Sequence, residues 1–344
     1  MYIPRSNGER PLGIPSVEDK IVQLAVKKIL EAIFEQDFLD VSYGFRPNRN
    51  CHDALGELNK TIMTKPVNHI LDMDISSFFD SVDHKLLMDC LKQRIIDPSL
   101  LRIIGRLLKA GIMEEGVYLK TDGGIPQGSI LSPVLANIFL HYALDLWFQE
   151  TENHIIGFAQ LIRYADDFII CLQYGHQAEL LMDALIKRLS EFGLGISREK
   201  SRIVKFGRNP CREAQGETFD FLGFTHYCSK TRKGKFKVGR KTSSKRFGQK
   251  MKELNFWLKR NRNTDLQKWW PVLRAKLTGH YNYYGINGNY KEIRKFYYQA
   301  ERSVYKWVNR RSQKKSYNWK QFERFLTYNP LPKPKIYHSA YAPR

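Results

Sequence analysis

The chain has 344 residues, which is enough for two or three domains that share a sizeable core. Hydrophobic residues make up 42% of it and charged residues 26%, as in ordinary soluble globular proteins, but the formal net charge of +21 is unusual. Five scattered cysteines without a C-x-x-C pair argue against a zinc ribbon or a disulfide framework. No apolar run approaches the roughly 18–20 residues of a membrane span, and the polar start of the chain is unlike a signal peptide. We therefore expect a cytoplasmic protein with no membrane attachment.

The positive charge is concentrated in the C-terminal third. Residues 1–224 carry 25 basic and 30 acidic side chains, whereas residues 225–344 carry 31 basic and 5 acidic ones. A near-neutral body followed by a strongly basic segment is the usual electrostatic pattern of a nucleic-acid binder. The charge distribution therefore predicts nucleic acid as the partner.

The first half of the chain mixes helical patterns with one strand of alternating polarity. Apolar residues recur at helical spacing from Val17 to Glu35, which predicts a helix with a buried stripe. From His69 to Ile75 apolar residues alternate with aspartates, which predicts a strand with a polar face. The other elements predicted in this half are a helix over 85–110, a turn at 123–126 and a helix over 133–148.

The second half begins with a tight hairpin and ends in basic helices. Residues 161–172 are apolar on both sides of a central Tyr-Ala-Asp-Asp, which predicts a β-hairpin whose turn carries two acids. An amphipathic helix is predicted over 177–192 and a short strand over 219–225. Beyond about residue 240 the strand signals vanish, and 246–260 and 289–311 have the pattern of basic helices.

Asp166 and Asp167 are the strongest candidates for chemistry. A solvated hairpin turn also favours acidic residues, so the tetrapeptide alone leaves both interpretations open. The flanking apolar strands press two carboxylates together, and like charges held close are costly unless a cation neutralises them. Asp74 is likewise a carboxylate at the end of an apolar strand, where a cation would be needed to neutralise it. Hard oxygen ligands on a rigid sheet suit Mg²⁺, which keeps positions for phosphate and water.

Three such carboxylates could hold two ions about 3.5–4 Å apart, one activating an attacking hydroxyl and the other stabilising a leaving pyrophosphate. Alternation does not decide between Asp72 and Asp74, because both lie on one face of the strand. Asp80 and Asp83 are nearby acids that are better explained as residues at the start of a helix. The carboxylates therefore predict a two-metal centre whose ligands are Asp166, Asp167 and one of the two residues Asp72 and Asp74.

Four short segments occur in the order and spacing of reverse transcriptases: Asp74–Asp80 (DISSFFD), Ile125–Gly128 (IPQG), Tyr164–Asp167 (YADD) and Phe221–Phe224 (FLGF). A narrower resemblance, to bacterial or organellar group II intron reverse transcriptase/maturases, rests on Arg10–Pro15, Ser42–Pro47 (SYGFRP) and Gly279–Gly288 (GHYNYYGING). A lone YADD is a weak signal, but this many motifs in order are a strong one. The resemblance covers nearly the whole chain.

The resemblance implies roles for individual residues. It selects Asp74 over Asp72, and it makes Asp74, Asp166 and Asp167 the catalytic, metal-binding acids, with Asp166 holding both ions. Phe79 would be the steric gate that packs where a ribose 2′-hydroxyl would lie, although without the family it is equally well a core residue. The implied nucleotide contacts are Arg5, Arg10, Ile75, Phe79, Gln127 and Lys200, and Ile75 joins the three acids as a metal contact.

The three cations of that set have an ordinary alternative as solvated surface charges. Arg5 and Arg10 resemble the basic residues of the fingers that clamp the triphosphate, a charge-assisted role that suits guanidinium. Lys200 resembles the palm lysine that follows the amphipathic helix.

The chain departs from the family pattern in three places. It starts directly at Tyr2, where family members usually have an N-terminal extension that grips template and intron RNA, so we expect that part to be absent or trimmed. No zinc-binding cysteines or His/Asn endonuclease domain follow the basic third, so we do not expect target cleavage. Ser76 and Ser77 replace the more usual Lys-Gly, a change that we expect to be tolerated.

The basic third interleaves its cations with aromatic residues. From Lys230 to Arg262, Lys or Arg recurs every few positions, with Phe and Trp between them. We expect the aromatic side chains to pack the inner face of a helical bundle while the cations face phosphate. In the family this region is the thumb or maturase region, which holds the primer–template duplex and, in many members, the intron RNA. Duplex shape and 2′-hydroxyls would be read more than sequence.

These patterns predict an α+β right-hand polymerase fold, with fingers and palm over 1–229 around a small antiparallel sheet, an all-α basic thumb/maturase domain over 230–330 and a Pro-rich tail over 331–344. The expected activity is RNA-directed DNA synthesis from dNTPs with two Mg²⁺ ions, or Mn²⁺ as a substitute, on an RNA template with a DNA or RNA primer, serving group II intron mobility and splicing. Two alternatives stay open: an RNA-binding splicing maturase with incidental polymerase activity, and an intron-independent reverse transcriptase of defence or repair.

Overall fold

The computed structural model of the chain describes residues 2–5, 8–11, 13–114, 117–119, 123–126, 128–213, 216–311 and 314–339. Within residues 2–11 and 112–119 the description is limited to the backbone. The chain divides into two compact units, Met1–Gly216 and Glu217–Arg344. Each unit has its own sheets and helices.

The described part of the first unit alternates helices with short strands. Its helices are α1 (Val17–Phe34), α2 (Cys51–Thr64), α3 (Phe78–Ser81), α4 (His84–Lys92), α5 (Pro98–Leu108), α6 (Ser132–Leu140), α7 (Leu146–Glu152), α8 (Gly175–Glu191) and α9 (Arg208–Arg212), with a π-helical segment (His141–Asp145) between α6 and α7. Its strands are β1 (Tyr2–Arg5), β2 (Gly8–Pro11), β3 (His69–Asp74), β4 (Ile112–Glu114), β5 (Val117–Leu119), β6 (Ala159–Tyr164), β7 (Asp167–Leu172) and β8 (Arg202–Lys205).

A four-stranded antiparallel sheet of order β6-β7-β3-β8 lies at the centre of this unit. On β3, Leu71 and Met73 are buried while Asp72 and Asp74 are half-buried, so the predicted strand with a polar face is confirmed. The predicted hairpin over 161–172 is confirmed as β6 and β7. The apolar residues of the sheet join those of α1, α4, α6 and α8 in one hydrophobic core, which gives the strand ends a rigid support.

One helix predicted in this unit is wrong in its extent. The single helix over 85–110 is two helices, α4 and α5. Pro98 begins α5 at its first position, where its missing N–H costs nothing, and it disfavours helical backbone at the residue before it. Asp97 then caps α5 by accepting a hydrogen bond from the Ser99 N–H at 2.8 Å. Apolar periodicity alone could not reveal this break.

The second unit begins with a three-stranded antiparallel sheet and continues in helices. Its strands are β9 (Thr218–Phe221), β10 (Phe224–Lys230) and β11 (Phe236–Thr242), in the order β11-β10-β9. Its helices are α10 (Ser244–Asn261), α11 (Leu266–Tyr284), α12 (Tyr290–Val308) and α13 (Trp319–Tyr328). The strand β11 lies in the region expected to be all helical, and the chain becomes helical from Ser244 onwards.

The single strand predicted over 219–225 is wrong, because the chain reverses in the middle of it. Leu222 and Gly223 have φ values of +49° and +79° and form the turn between β9 and β10. Positive φ at both central residues matches the twist of a two-residue hairpin. The boundary predicted at 229/230 falls at the end of β10, whereas the compact units divide at 216/217. The division into fingers, palm and thumb stays a prediction.

None of the helices among the described residues is both long enough and apolar enough to cross a membrane.

Gly207 is a position where the packing of the first unit requires glycine. Its φ is +146°, and a Cβ there would lie 1.9 Å from the Val67 carbonyl oxygen. We expect Gly207→Ala to lower the free energy of unfolding by about 2 kcal/mol or more, as measured by urea denaturation. Gly105→Ala is the matched control, because a Cβ in that helical position meets no atom within 4 Å and should add about 0.5–1 kcal/mol. Equal effects of the two substitutions would contradict this account.

Candidate active site

The register of β3 against β7 brings Asp74 opposite Asp167. The pair Tyr164 and Asp167 closes the β6–β7 hairpin, so Ala165 and Asp166 form its two-residue turn. On the other side of β7, Asp74 is the cross-strand neighbour of Asp167. Directly opposite residues of antiparallel strands have Cβ atoms about 4.5–5.5 Å apart. The structure therefore places all three predicted acids at one end of the sheet.

Asp74 already carries a cationic partner. The Lys200 Nζ lies 2.8 Å from Asp74 Oδ2, with the Asp74 side chain 46% exposed. The segment that carries Lys200 is tied to the same strand, because the Asp74 N–H donates to Ser201 Oγ at 3.2 Å and the Asp74 carbonyl accepts from the Ser197 N–H at 2.9 Å. Lys200 is therefore held beside Asp74, and its contact with an incoming nucleotide stays a prediction.

Asp72 has a different environment from Asp74. Its cross-strand neighbours are Ile169 on β7 and Arg202 on β8. The Arg202 Nε lies 3.8 Å from Asp72 Oδ2. The cationic neighbour of Asp72 is thus Arg202, a residue of the same sheet, whereas Asp74 lies at the strand end beside the hairpin turn. Asp83 accepts a hydrogen bond from the Leu86 N–H at 2.9 Å and caps α4, which confirms its interpretation as a helix-start residue.

The donor chemistry of the three acids fits a divalent cation, although they are not preassembled around one. Within the described part of the chain, no three His, Cys, Asp or Glu side chains converge closely enough to form a metal site. Carboxylate oxygens at neighbouring strand ends are nevertheless the ligands that Mg²⁺ takes, and Asp74 is bound to a cation in the ammonium of Lys200. The Ile75 side chain is apolar and 5% exposed, so only its backbone carbonyl could reach a metal.

Phe79 lies on α3 next to the start of the Ile125–Gly128 turn. It is half-buried, and its ring meets that of Phe78 edge to face with centroids 5.3 Å apart. The Phe79 carbonyl accepts a hydrogen bond from the Ile125 N–H at 2.6 Å. A backbone hydrogen bond thus joins the start of the turn to the predicted gate residue. Gln127 lies outside the described residues.

Arg5 and Arg10 lie on the antiparallel β1–β2 hairpin, where Arg5 pairs with Gly8 and Arg10 with Ile3. Their side chains lie outside the described part of the structure. Their predicted contacts with a triphosphate therefore stay predictions.

Three buried polar residues behind the hairpin turn were missed by sequence reasoning. Arg163 and Asp145 form an ion pair, with both side chains 0% exposed and Arg163 Nη2 2.5 Å from Asp145 Oδ2. Arg163 also donates to Asn137 Oδ1 and to the Ala165 carbonyl, each at 3.0 Å. Removing one partner of a buried ion pair typically costs about 3–5 kcal/mol. The signal that could have found them is a charged residue inside an apolar strand, directly before the YADD motif.

Burial sets the ionisation of the groups around this turn. Desolvation raises the pKa of the Tyr164 phenol and lowers the pKa of His141, so both are neutral near pH 7. Ala165 has a φ of +57°, which costs a non-glycine residue about 1–2 kcal/mol. The turn is therefore strained at the residue directly before Asp166.

In the second unit, large aromatic side chains contribute to the buried interior, and lysines of α10 lie on the outside. The buried aromatic residues include Trp269, Trp270, Tyr281, Tyr284, Phe296 and Trp307, whereas Phe256 is 67% exposed. On α10, Met251, Leu254 and Leu258 are buried. Lys245, Lys252 and Lys259 are exposed at seven-residue spacing, which places them in one stripe on the side of α10 away from its buried residues. This stripe could follow a phosphate backbone.

Comparison with known families identifies the family of the chain. The model of the family described as reverse transcriptase (RNA-dependent DNA polymerase) matches residues 3–226. That match covers more than half of the chain, and the chain belongs to this reverse transcriptase family.

Several curated relatives are proteins encoded by introns. The group II intron-encoded protein LtrA of Lactococcus lactis subsp. cremoris is 47% identical over 145 residues, which are 41% of this chain and 24% of LtrA. Protein YkfC of Escherichia coli (strain K12) is 40% identical over 145 residues, covering 41% of this chain and 38% of YkfC. The putative COX1/OXI3 intron 1 protein of Saccharomyces cerevisiae is 26% identical and covers 86% of this chain and 44% of its own length. The chain thus spans less than half the length of these relatives, and the resemblance to group II intron proteins is confirmed.

Solved structures support the fold class. Telomerase from Candida albicans, in complex with a fragment of telomeric RNA, has a TM-score of 0.53 with 14% identity, over 95% of this chain and 60% of that one. Apo telomerase from Candida tropicalis has a TM-score of 0.52 with 14% identity, over 95% of this chain and 59% of that one. At this identity the likeness concerns the fold alone. It confirms the predicted α+β right-hand fold.

Proposed function

We propose that this chain is an RNA-directed DNA polymerase that adds deoxynucleotides to a primer 3′-hydroxyl. The observation that carries the proposal is the register that puts Asp74 opposite Asp167 and beside the turn of Asp166, in a chain of the reverse transcriptase family. When bound there, two divalent ions, of which Mg²⁺ is our choice, would activate the 3′-hydroxyl and neutralise the leaving pyrophosphate.

The residues of the chain would divide the remaining work. Asp74, Asp166 and Asp167 supply the oxygen ligands, and the Lys200 ammonium beside Asp74 supplies positive charge for the phosphates of the incoming nucleotide. Phe79 limits the space at the nucleotide sugar. The exposed cations of the second unit hold the primer–template duplex through its phosphates.

We also propose that the template or partner RNA is a group II intron RNA. The support is the similarity to LtrA, which is named as a group II intron-encoded protein, and to the putative COX1/OXI3 intron 1 protein of Saccharomyces cerevisiae. Since all three acids are retained, DNA synthesis is favoured over a role in splicing alone. A cytoplasmic location belongs to the same proposal.

Replacing Asp166 tests the polymerase directly. Asp166→Asn removes a charged metal ligand and keeps the shape of the turn, so we expect extension of a primer on an RNA template with dNTPs and Mg²⁺ to vanish. Asp72→Asn is the matched control, because Asp72 lies on the same strand beside Arg202, and it should retain extension. Fluorescence anisotropy with labelled duplex would show that both variants still bind. Normal extension by Asp166→Asn would contradict the proposal.

Replacing Phe79 tests the gate. Phe79→Val makes room for a 2′-hydroxyl, so the preference for dGTP over GTP, measured as the ratio of kcat/KM values, should fall by about tenfold or more. Phe192→Val is the control, because Phe192 is a partly buried residue of the same core. It should leave the ratio unchanged. An unaltered ratio in Phe79→Val would remove the gate role.

Replacing the α10 lysine stripe tests duplex binding. Each phosphate contact contributes about 0.9 to the slope of log K against log salt. Changing Lys245, Lys252 and Lys259 together to Gln should therefore weaken duplex binding and reduce the slope by about 2–3. The measurement is a titration of labelled RNA–DNA duplex at several KCl concentrations.

The control for the stripe is a triple Lys→Gln variant at Lys60, Lys92 and Lys187, exposed lysines on α2, α4 and α8 of the first unit. It changes the net charge equally but should leave the slope unchanged. If both triple variants reduce the slope equally, binding depends on net charge and the stripe has no particular role.

A further inference from the structure

Arg163 reaches three different partners from a fully buried position. Its Nε and Nη2 donate to the two carboxylate oxygens of Asp145 at 2.7 and 2.5 Å. Its Nη1 donates to Asn137 Oδ1 and to the Ala165 carbonyl oxygen, both at 3.0 Å. One edge of the guanidinium is thus fixed to the helix behind the sheet, and its other side is bonded to the turn between Tyr164 and Asp167.

The π-helical segment explains how both helix partners face Arg163. Residues eight positions apart, such as Asn137 and Asp145, would lie about 80° apart around a regular α-helix. The Leu146 N–H instead bonds the His141 carbonyl, five residues earlier. Because the π-helical turn contains one extra residue, Asn137 and Asp145 are separated by the rotation of about seven α-helical positions. The angle between them around the helix axis therefore falls to about 20°. The π-segment therefore brings Asp145 onto the same face as Asn137.

Asn137 extends the network to a second segment of the chain. While its Oδ1 accepts from Arg163, its Nδ2 donates to the Gly44 carbonyl at 2.7 Å. Gly44 lies directly against the turn, because a Cβ on it would be 2.4 Å from the Ala165 nitrogen. The turn is thus held from two sides by bonds that meet at Asn137 and Arg163.

The turn needs such support because Ala165 adopts a left-handed backbone with a φ of +57°. Alanine populates this region poorly, and strained residues persist only where their surroundings fix them. The hydrogen bond from Arg163 falls on the carbonyl of this residue, which is part of the peptide group leading into Asp166.

We propose that Arg163 is a positioning residue, which holds Ala165 in the left-handed conformation and so aims Asp166 at the metal ions of the proposed polymerase. The inference rests on the proposed function. Asn137 on α6 and Asp145, which the π-segment brings to the same face, hold the guanidinium in place. Arg163 does not touch the substrate, so its effect passes through the geometry of the turn.

Arg163→Lys is the primary test. Lysine keeps the positive charge opposite Asp145 but lacks the planar fork that reaches both Asp145 and the turn. We expect the single-turnover rate of primer extension to fall by about tenfold to a hundredfold, with the duplex Kd unchanged. Mn²⁺ binding, followed by electron paramagnetic resonance without substrate, should weaken in parallel. Unchanged rate and Mn²⁺ binding in a folded variant would overturn the proposal.

Arg46→Lys controls for the loss of a buried guanidinium. Arg46 pairs with Glu35 at 2.7 Å and donates to the carbonyls of Leu39 and Ser42, and among the described residues it makes no bond to Ala165. Thermal unfolding of this variant should show a loss of stability, with the rate per folded molecule and Mn²⁺ binding unchanged. If Arg163→Lys behaves in the same way, Arg163 is only structural and the proposal fails.

Ala165→Gly supplies the second test, in which rates and Mn²⁺ binding are expressed per folded molecule, with the folded fraction measured by circular dichroism. Glycine enters the left-handed region without strain, so the turn should depend less on Arg163. The double variant Arg163→Lys with Ala165→Gly should recover part of the lost rate and Mn²⁺ affinity, and absence of any recovery would overturn the proposal. If the unmodified protein extends no primer, the proposed function fails instead, so the two failures are distinguishable.

Discussion

The antiparallel pairing of β3 with β7 is the constraint on which the candidate site depends. Successive residues of a strand point to opposite faces, so a slip of one residue would move every side chain of β3 to the other face. In the observed register Leu71 and Met73 enter the core, and Asp74 arrives opposite Asp167. The hydrophobic core therefore enforces the register, and the register assembles the acids. β8 pairs with the other edge of β3, which makes β3 a central strand with hydrogen bonds on both sides.

The ion pair behind the hairpin turn is buried, whereas the ion pair in front of the turn is exposed. Behind the turn, Arg163 and Asp145 are fully buried and satisfy each other, because an unpaired buried charge would be very costly. In front of it, Asp74 is 46% exposed and its partner Lys200 is 70% exposed. An exposed pair gains little from its attraction and can be exchanged for another partner. In the proposed mechanism, the buried pair maintains the geometry of the turn, and the exposed pair separates when metal ions and phosphates bind.

The second unit separates packing from charge in a similar way. Large aromatic side chains such as Trp269, Tyr281 and Phe296 fill its interior, and aromatic side chains bury much apolar area per residue. Few positions are then needed for the core, and lysines such as Lys245 and Lys252 can occupy the outer face of α10. The net charge of this unit is therefore carried on its surface, where it can act on a polyanion at long range.

The sequence alone determined the class of the protein, because its signals are local. The YADD tetrapeptide between apolar runs, the alternation over 69–75 and the order of the other motifs are all readable from neighbouring residues. The break at Pro98 and the reversal at Leu222 were missed, since periodicity over a short window extends across both. Alternation also left Asp72 and Asp74 equivalent. The family resemblance chose Asp74, and the tertiary structure supplied the physical difference, by placing Asp72 beside Arg202 and Asp74 opposite Asp167. Only the tertiary structure joined Arg163 to Asp145 and Asn137, because pairing between residues distant in sequence depends on strand register and helix rotation.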